Sequence, residues 1–148
     1  MDCVIAGAER APPTNDRDAA YRALQRLLAN GRLAALPKRP ADQGLLVALA
    51  ASQIEAHRSL SEREVNERLR TWLETISEPF GIDHVTLRRM LVDSRILIRT
   101  TSGSTYQLNT QRLGEIDAVR GIKPADILFQ IQNERDLRKR QRASAGAP

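Results

Sequence analysis

The stretch that most constrains this chain is S-E-R-E-V-N-E-R-L-R-T-W-L-E-T-I at 61–76, followed by a break and then D-H-V-T-L-R-R-M-L-V-D at 83–93. Ser61 and Glu64 stand three residues apart, the spacing of a capping box in which each side chain satisfies the other's unpaired backbone N–H. Val65, Leu69, Trp72, Leu73 and Ile76 then recur on one helical face, with Arg63, Glu67, Arg70 and Glu74 on the opposite one. Pro79 and Gly81 stop that helix. Asp83 is a good N-cap for the next, which runs to about Asp93. At 100° per residue Leu87, Met90 and Leu91 share one side of it. Thr86, Arg89 and Asp93 point away from that side, and Arg88 lies at the boundary.

The flanking segments extend the pattern. Residues 1–14 read as a flexible tail, and 15–44 as an N-terminal helix plus a connector. Tyr21, Leu24, Leu27 and Leu28 give that helix its face, Gly31 ends it, and Pro37 and Pro40 keep the connector from continuing it. A Leu- and Ala-rich helix is expected from Ala41 to about Ala56, and residues 57–60 form a short link. Downstream, the β-prone runs 96–100 and 105–109 surround a Gly-containing turn and predict a hairpin. The core unit is thus expected over 45–110, a basic C-terminal helix within 111–143 starting near Lys123 or Pro124, and a disordered end at 144–148.

Helix, helix, short turn, helix, hairpin is the order of a winged helix-turn-helix. The expected fold class is therefore mainly α with a small β-hairpin, with an N-terminal helix and a basic C-terminal helix added. Composition agrees. Apolar residues are 41% of the 148, but aromatic residues only 3%, so the core must be built from Leu, Ile, Val and Ala, which favours packed helices over a large sheet. A single cysteine, Cys3, allows no disulfide within the chain. The start of the chain lacks the pattern of a secretory leader, and the longest apolar run, at 45–51, is too short to span a bilayer. A cytoplasmic protein with no membrane partner is expected.

The formal net charge is +5 and the pI ≈ 10.1, which makes a polyanion the first partner to consider. In a winged helix the helix before the hairpin enters the major groove of double-stranded DNA. Thr86, Arg88 and Arg89 are the candidate contacts on that helix, because a groove-facing Arg donates to guanine O6 and N7. The wing offers Arg99, Thr101, Ser102, Ser104 and the backbone N–H of Gly103, all suited to phosphates. Arg138, Lys139 and Arg140 lie in the most basic run and suit a phosphate backbone or a solvated helix end. Each has a plainer role to weigh against it: Arg88 pairing with Glu64 or Asp93, Asn66 bonding across to the next helix, the wing residues forming a solvated tip.

Enzymatic chemistry is not expected. His57, His84 and Cys3 lack metal-ligand spacing, adjacent Asp83 and His84 do not make a triad with Ser61, and no phosphate-binding glycine loop exists. No cofactor is called for. The expected function is a DNA-binding regulator of transcription. Its dimerisation through Ile127, Leu128, Phe129 and Ile131 would double a short half-site. The alternatives are a protein-binding adaptor of the transcription machinery and an RNA- or ribosome-associated basic protein.

The segments G-R-L-A-A-L-P-K-R at 31–39, S-E-R-E-V-N-E-R-L at 61–69, D-H-V-T-L-R-R-M-L-V-D at 83–93 and G-S-T-Y at 103–106 also occur in one order together. In these the chain resembles, over about residues 20–108, the prokaryotic family catalogued as domain of unknown function 2087. The resemblance implies a winged-helix-like protein found alone or fused to helix-turn-helix regulators. It brings no catalytic residue. The chain departs from the family pattern at Gln107, where an aromatic residue usually follows the wing tyrosine, here Tyr106. It departs again in the link S-E-P-F-G-I, which lacks a histidine common there.

Overall fold

The structure is a computed structural model that describes the backbone of residues 13–146 apart from Gly103, and the side chains of residues 17–144. Among the described residues the chain forms α1 (Pro13–Leu27), α2 (Pro40–Ala51), β1 (Leu60–Ser61), α3 (Glu62–Ile76), α4 (His84–Asp93), β2 (Leu97–Arg99) and β3 (Thr105–Leu108). A 3₁₀ turn (Thr110–Arg112), a short α5 (Leu113–Asp117) and a long α6 (Pro124–Gly146) follow. The expected class, mainly α with a small hairpin, is what the chain adopts.

α3 is the centre of the molecule. The capping box forms as the sequence requires: Ser61 Oγ accepts from the Glu64 N–H (3.1 Å) and the Glu64 carboxylate accepts from the Ser61 N–H (3.0 Å). Val65, Leu69, Trp72, Leu73 and Ile76 are all buried. They meet Leu46, Leu49 and Ile54 from α2 and its link, Leu87 and Leu91 from α4, and Leu97, Tyr106 and Leu108 from the sheet. Burial of such side chains is worth roughly 1.5–3 kcal/mol each, so this aliphatic cluster carries most of the folding free energy.

β1 falls where a mere link was expected. It pairs antiparallel with β3 (Leu60 opposite Tyr106), giving the strand order β1-β3-β2. Two residues are too few to show a period of two, and the sheet is set by its partner strand. α2 stops at Ala51, five residues before the expected end: the Ser52 hydroxyl and the Gln53 amide both donate to the Leu49 carbonyl, while the Ser52 N–H closes on Ala48 and the Gln53 N–H on Ala50. Residues 1–12 of the expected tail lie outside the described residues, but α1 already begins at Pro13, a residue well suited to a first helical turn. The segment 111–143 is not one helix. Only its second part is, and α6 continues through Gly146 into the end expected to be disordered, residues 147 and 148 lying outside the described residues. Its A-S-A stretch holds no helix breaker.

The turn between α3 and α4 is fixed from outside as well as within. Leu33 of the connector bridges Ser77: the Leu33 N–H donates to the Ile76 carbonyl (2.8 Å), and the Glu78 N–H donates to the Leu33 carbonyl (2.8 Å). Buried Ser77 accepts from the Ile82 N–H (2.9 Å) and donates to the Glu78 carbonyl (2.9 Å). Gly81 is required by closeness: a Cβ there would stand 2.7 Å from Ser77 Oγ and 2.9 Å from the Leu33 carbonyl oxygen. Phe80, beside it, is held at φ +65°, and its ring is wholly exposed.

Two predictions follow from these braces. Phe80→Gly should raise stability by about 0.5–1 kcal/mol by relieving the left-handed backbone, and Gly81→Ala should lower it by about 1–3 kcal/mol through overpacking. Urea denaturation measures both. The second concerns Glu55, which receives two hydrogen bonds from Arg68 (2.7 and 2.8 Å). That bidentate pairing, helped by Arg58, lowers its pKa from the ordinary 4.5 to about 2. A depressed carboxylate contributes above its unfolded pKa and loses that contribution as pH falls through its folded one. Glu55→Gln should therefore cost about 0.5–1 kcal/mol at pH 7, as for a partly exposed pair, with the gap to wild type closing as pH falls from 4.5 towards 2.

Candidate nucleic-acid interface

α4 is oriented by one charged clamp. Arg88, only 16% exposed, donates to Asn66 Oδ1 of α3 (2.5 Å) and lies 3.8 Å from the Glu62 carboxylate. Glu62 also accepts from the Tyr106 hydroxyl of β3 (3.1 Å), so a single corner joins α3, α4 and the sheet. The cross-helix bond of Asn66 is the plain role considered for it from sequence. Arg88 likewise has an internal partner, though Asn66 and Glu62 rather than Glu64 or Asp93. Glu64 is occupied by the capping box and Arg58.

The outward side of α4 is different. Arg89 is exposed and makes no hydrogen bond or ion pair among the described residues. Thr86 is half-buried and its hydroxyl donates to Asp83 Oδ2 (2.8 Å), while its N–H donates to Oδ1 (2.8 Å). Its hydroxyl thus completes the N-cap, and those bonds hold Asp83 below the ordinary carboxylate range. His84, the first residue of α4, is shifted downward by burial and by the neighbouring Arg70 and Arg88 charges. These neighbours disfavour a positive charge on the imidazole at this end of the helix.

At the other end of α4, Arg95 takes a position where glycine is usual. The Ile96 N–H returns to the Leu91 carbonyl (3.1 Å) and the Arg95 N–H to Val92 (3.0 Å), the two bonds of a Schellman ending, with Arg95 at φ +62°. Arg95, Arg99 and Asp93 then line one cleft of about 460 Å³ between α4 and the hairpin. Thr101, Ser102 and Ser104 are exposed at the wing tip, where Ser102 and Ser104 share a hydrogen bond (2.7 Å). The Gly103 N–H lies outside the described residues.

The structure brings Arg95 and Arg99 to one cleft beside the end of α4, with Arg89 exposed on that helix and the wing hydroxyls exposed at the hairpin tip. It does not bring Arg138, Lys139 and Arg140 to them. α6 packs on α1 and α3, through Tyr21–Gln130 and through the Arg135 guanidinium, which donates to the Ala29 carbonyl. On α3 the residues beside α6 are Arg68, Thr71 and Thr75, whereas those beside α4 are Glu62, Asn66 and Arg70. At 100° per residue these sets fall on opposite sides of α3. The basic half of α6 thus extends from a base set across α3 from α4.

Sequence reading passed over Arg95 and Phe80. Nothing marked Arg95, since a helix ending of this kind is signalled by Gly or Asn. An isolated Phe is normally read as core.

Helix, short strand, two helices braced at a fixed turn, and a hairpin returning to the first strand define a winged helix-turn-helix. The chain belongs to the bacterial family described as "Uncharacterized protein conserved in bacteria (DUF2087)", whose model matches residues 32–108. No curated protein and no solved structure matches the chain. Among the described residues no helix is long and apolar enough to cross a membrane.

The two neighbouring arginines should separate cleanly in a stability assay. Arg88→Ala strands the Asn66 carbonyl oxygen in a half-buried corner and should cost about 1–3 kcal/mol. Arg89→Ala should stay within about 0.5 kcal/mol of wild type. Thermal and urea unfolding followed by circular dichroism check the pair.

Proposed function

We propose that this protein is a cytoplasmic DNA-binding regulator of transcription, which seats α4 in the major groove and lays the hairpin along the backbone. The observation that carries this reading is the division of labour on α4. Arg88 is fixed inward by Asn66, while Arg89, about 100° further round the helix, is exposed with no partner among the described residues. Arg95 and Arg99 line the cleft between the end of α4 and the wing, and Thr101, Ser102 and Ser104 are exposed at the wing tip. An unpaired guanidinium on a rigid helix is what guanine recognition needs, and cations with hydroxyls alongside are what phosphate contact needs. Thr86 contributes by holding the N-cap. Arg138, Lys139 and Arg140 form a second basic surface, which adds non-specific affinity or docks elsewhere.

Of the residues considered for dimerisation through α6, Phe129 is the one that stays exposed, joined by Leu137. Ile127 is buried, and Leu128 and Ile131 are half-buried in their own domain, but Phe129 (66%) and Leu137 (54%) remain exposed. One observation favours the adaptor reading: the wholly exposed Phe80 beside α4, an anchor of the kind protein partners bury.

Fluorescence anisotropy on duplex DNA tests the proposal. Affinity for random duplex should fall with salt at a log–log slope of about −0.9 for each phosphate neutralised. Against a site selected from a random pool, Arg89→Ala should cost about 1–3 kcal/mol and relax the choice of base. Arg99→Ala should weaken specific and random duplex alike and reduce the salt slope by about 1. Absence of duplex binding at low salt, with Phe80→Ala abolishing capture of a protein partner, would favour the adaptor instead.

A further inference from the structure

We propose that the cleft between α3 and the start of α6 binds a small amphipathic carboxylate. The cleft has a volume of about 490 Å³, within the range of small-molecule sites. Its wall is mostly apolar, formed by the Trp72 indole, Ile122, Pro124 and Ala125. These residues come from α3 and from the link into α6, so the site is built from two braced elements and not from a loop.

The polar groups around that wall are unequal, and the inequality selects the ligand. Arg68 lines the cleft but is held by two hydrogen bonds to Glu55. Glu67 lines it too and is held by Arg63 (3.3 Å). The Thr75 hydroxyl is committed to the Trp72 carbonyl (2.6 Å). Lys123 is exposed at the rim and makes no ion pair among the described residues, which leaves an unbalanced positive charge beside an apolar wall. Within the wall, the Trp72 indole N–H is buried and has no acceptor among the described residues. Buried donors are nearly always satisfied. A ligand with an apolar body against Trp72, Ile122 and Pro124 and an anionic oxygen head towards Lys123 matches the wall and its unbalanced charge, while the indole N–H has no accessible surface through which a ligand in the cleft could reach it. A cationic amphiphile would meet Lys123 with like charge.

Trp72 is the only tryptophan in the chain, so its emission reports on the cleft directly. The full-length protein is titrated with decanoate below its micelle concentration, with decanol and decyltrimethylammonium as charge controls and no DNA present. The proposal expects a saturable change in Trp72 emission with decanoate, at one molecule per chain by calorimetry. It expects binding about tenfold weaker for decanol and none for the cation. Lys123→Gln, on the surface, should weaken decanoate about tenfold, the loss of one charge-assisted bond, with an unchanged circular dichroism spectrum. Thr71→Phe, which fills the exposed mouth, should remove the response. No saturable change with decanoate, equal binding of the cationic amphiphile, or wild-type affinity in Lys123→Gln would each overturn the assignment. Because the assay contains no nucleic acid, its outcome is separate from the fate of the DNA-binding reading.

Discussion

The angle between α3 and α4 is set by a buried hydroxyl, a missing Cβ and a neighbouring strand-like segment. Ser77 takes the Ile82 N–H and gives its own proton to Glu78, while Leu33 closes the turn from outside with two backbone bonds. Gly81 lets these chains approach to a distance that any side chain would prevent. Everything outward from α4 inherits this geometry. The Asn66–Arg88 bond can form only if the helices cross at that angle, and the hairpin leaves α4 in the direction that its Schellman ending dictates. The connector is therefore part of the winged unit in a physical sense, and the family match begins at residue 32, where the connector begins to brace the turn.

A second consequence concerns charge. The excess of arginine in this chain overstates what a polyanion could reach. Arg26 is engaged with buried Asp42 (2.7 Å), Arg58 and Arg68 with Glu55 and Glu64, Arg112 with Glu115, and Arg120 with Asp117. These guanidiniums tie α1 to α2, the α2 link to α3, and the residues after the hairpin to themselves. The surface ones contribute little each. The Arg26–Asp42 pair matters more, because losing the arginine would leave a carboxylate stranded in the core, a loss that typically costs about 3–5 kcal/mol. Outside α4, the wing and α6, Arg22, Lys38, Arg39, Arg70 and Lys123 also stay exposed with no ion pair among the described residues, so the free cations are spread over the surface.

Much of this was legible in the sequence where local chemistry and burial agree. The S-E-R-E box with its apolar stripe, the Asp83 cap, and two β-prone runs about a turn gave α3, α4 and the hairpin close to their observed limits. Asn66 was readable as a bridge because it lies at the helix edge beside an apolar face. β1 was not readable, since its two residues become a strand only when β3 lies beside them. Nor was the placement of α6: a charged helix end says nothing of which side of α3 its base will occupy. The choice between Arg88 and Arg89 was half-legible. The helical wheel put one at the boundary and the other outside, but it took the position of Asn66 to decide which guanidinium would be fixed.

α4 is bracketed by two residues whose backbones run against their side chains. Phe80 before it and Arg95 after it both adopt positive φ, a conformation that among the described residues is also taken by His57, Gly31 and Gly121. A non-glycine residue there costs about 1–2 kcal/mol. Neither side chain recovers that cost inside the monomer: the Phe80 ring is wholly exposed, and Arg95 is exposed with no carboxylate partner among the described residues. Strain of this kind gathers at sites that act on something else. An arginine also complements the negative end of a helix, which offsets part of the cost at Arg95. No such compensation exists for an aromatic ring in water. The two ends of α4 are therefore two of the three described positions, with His57, where a non-glycine residue bears this strain with its side chain exposed, and they flank a helix whose Arg89 has no partner among the described residues.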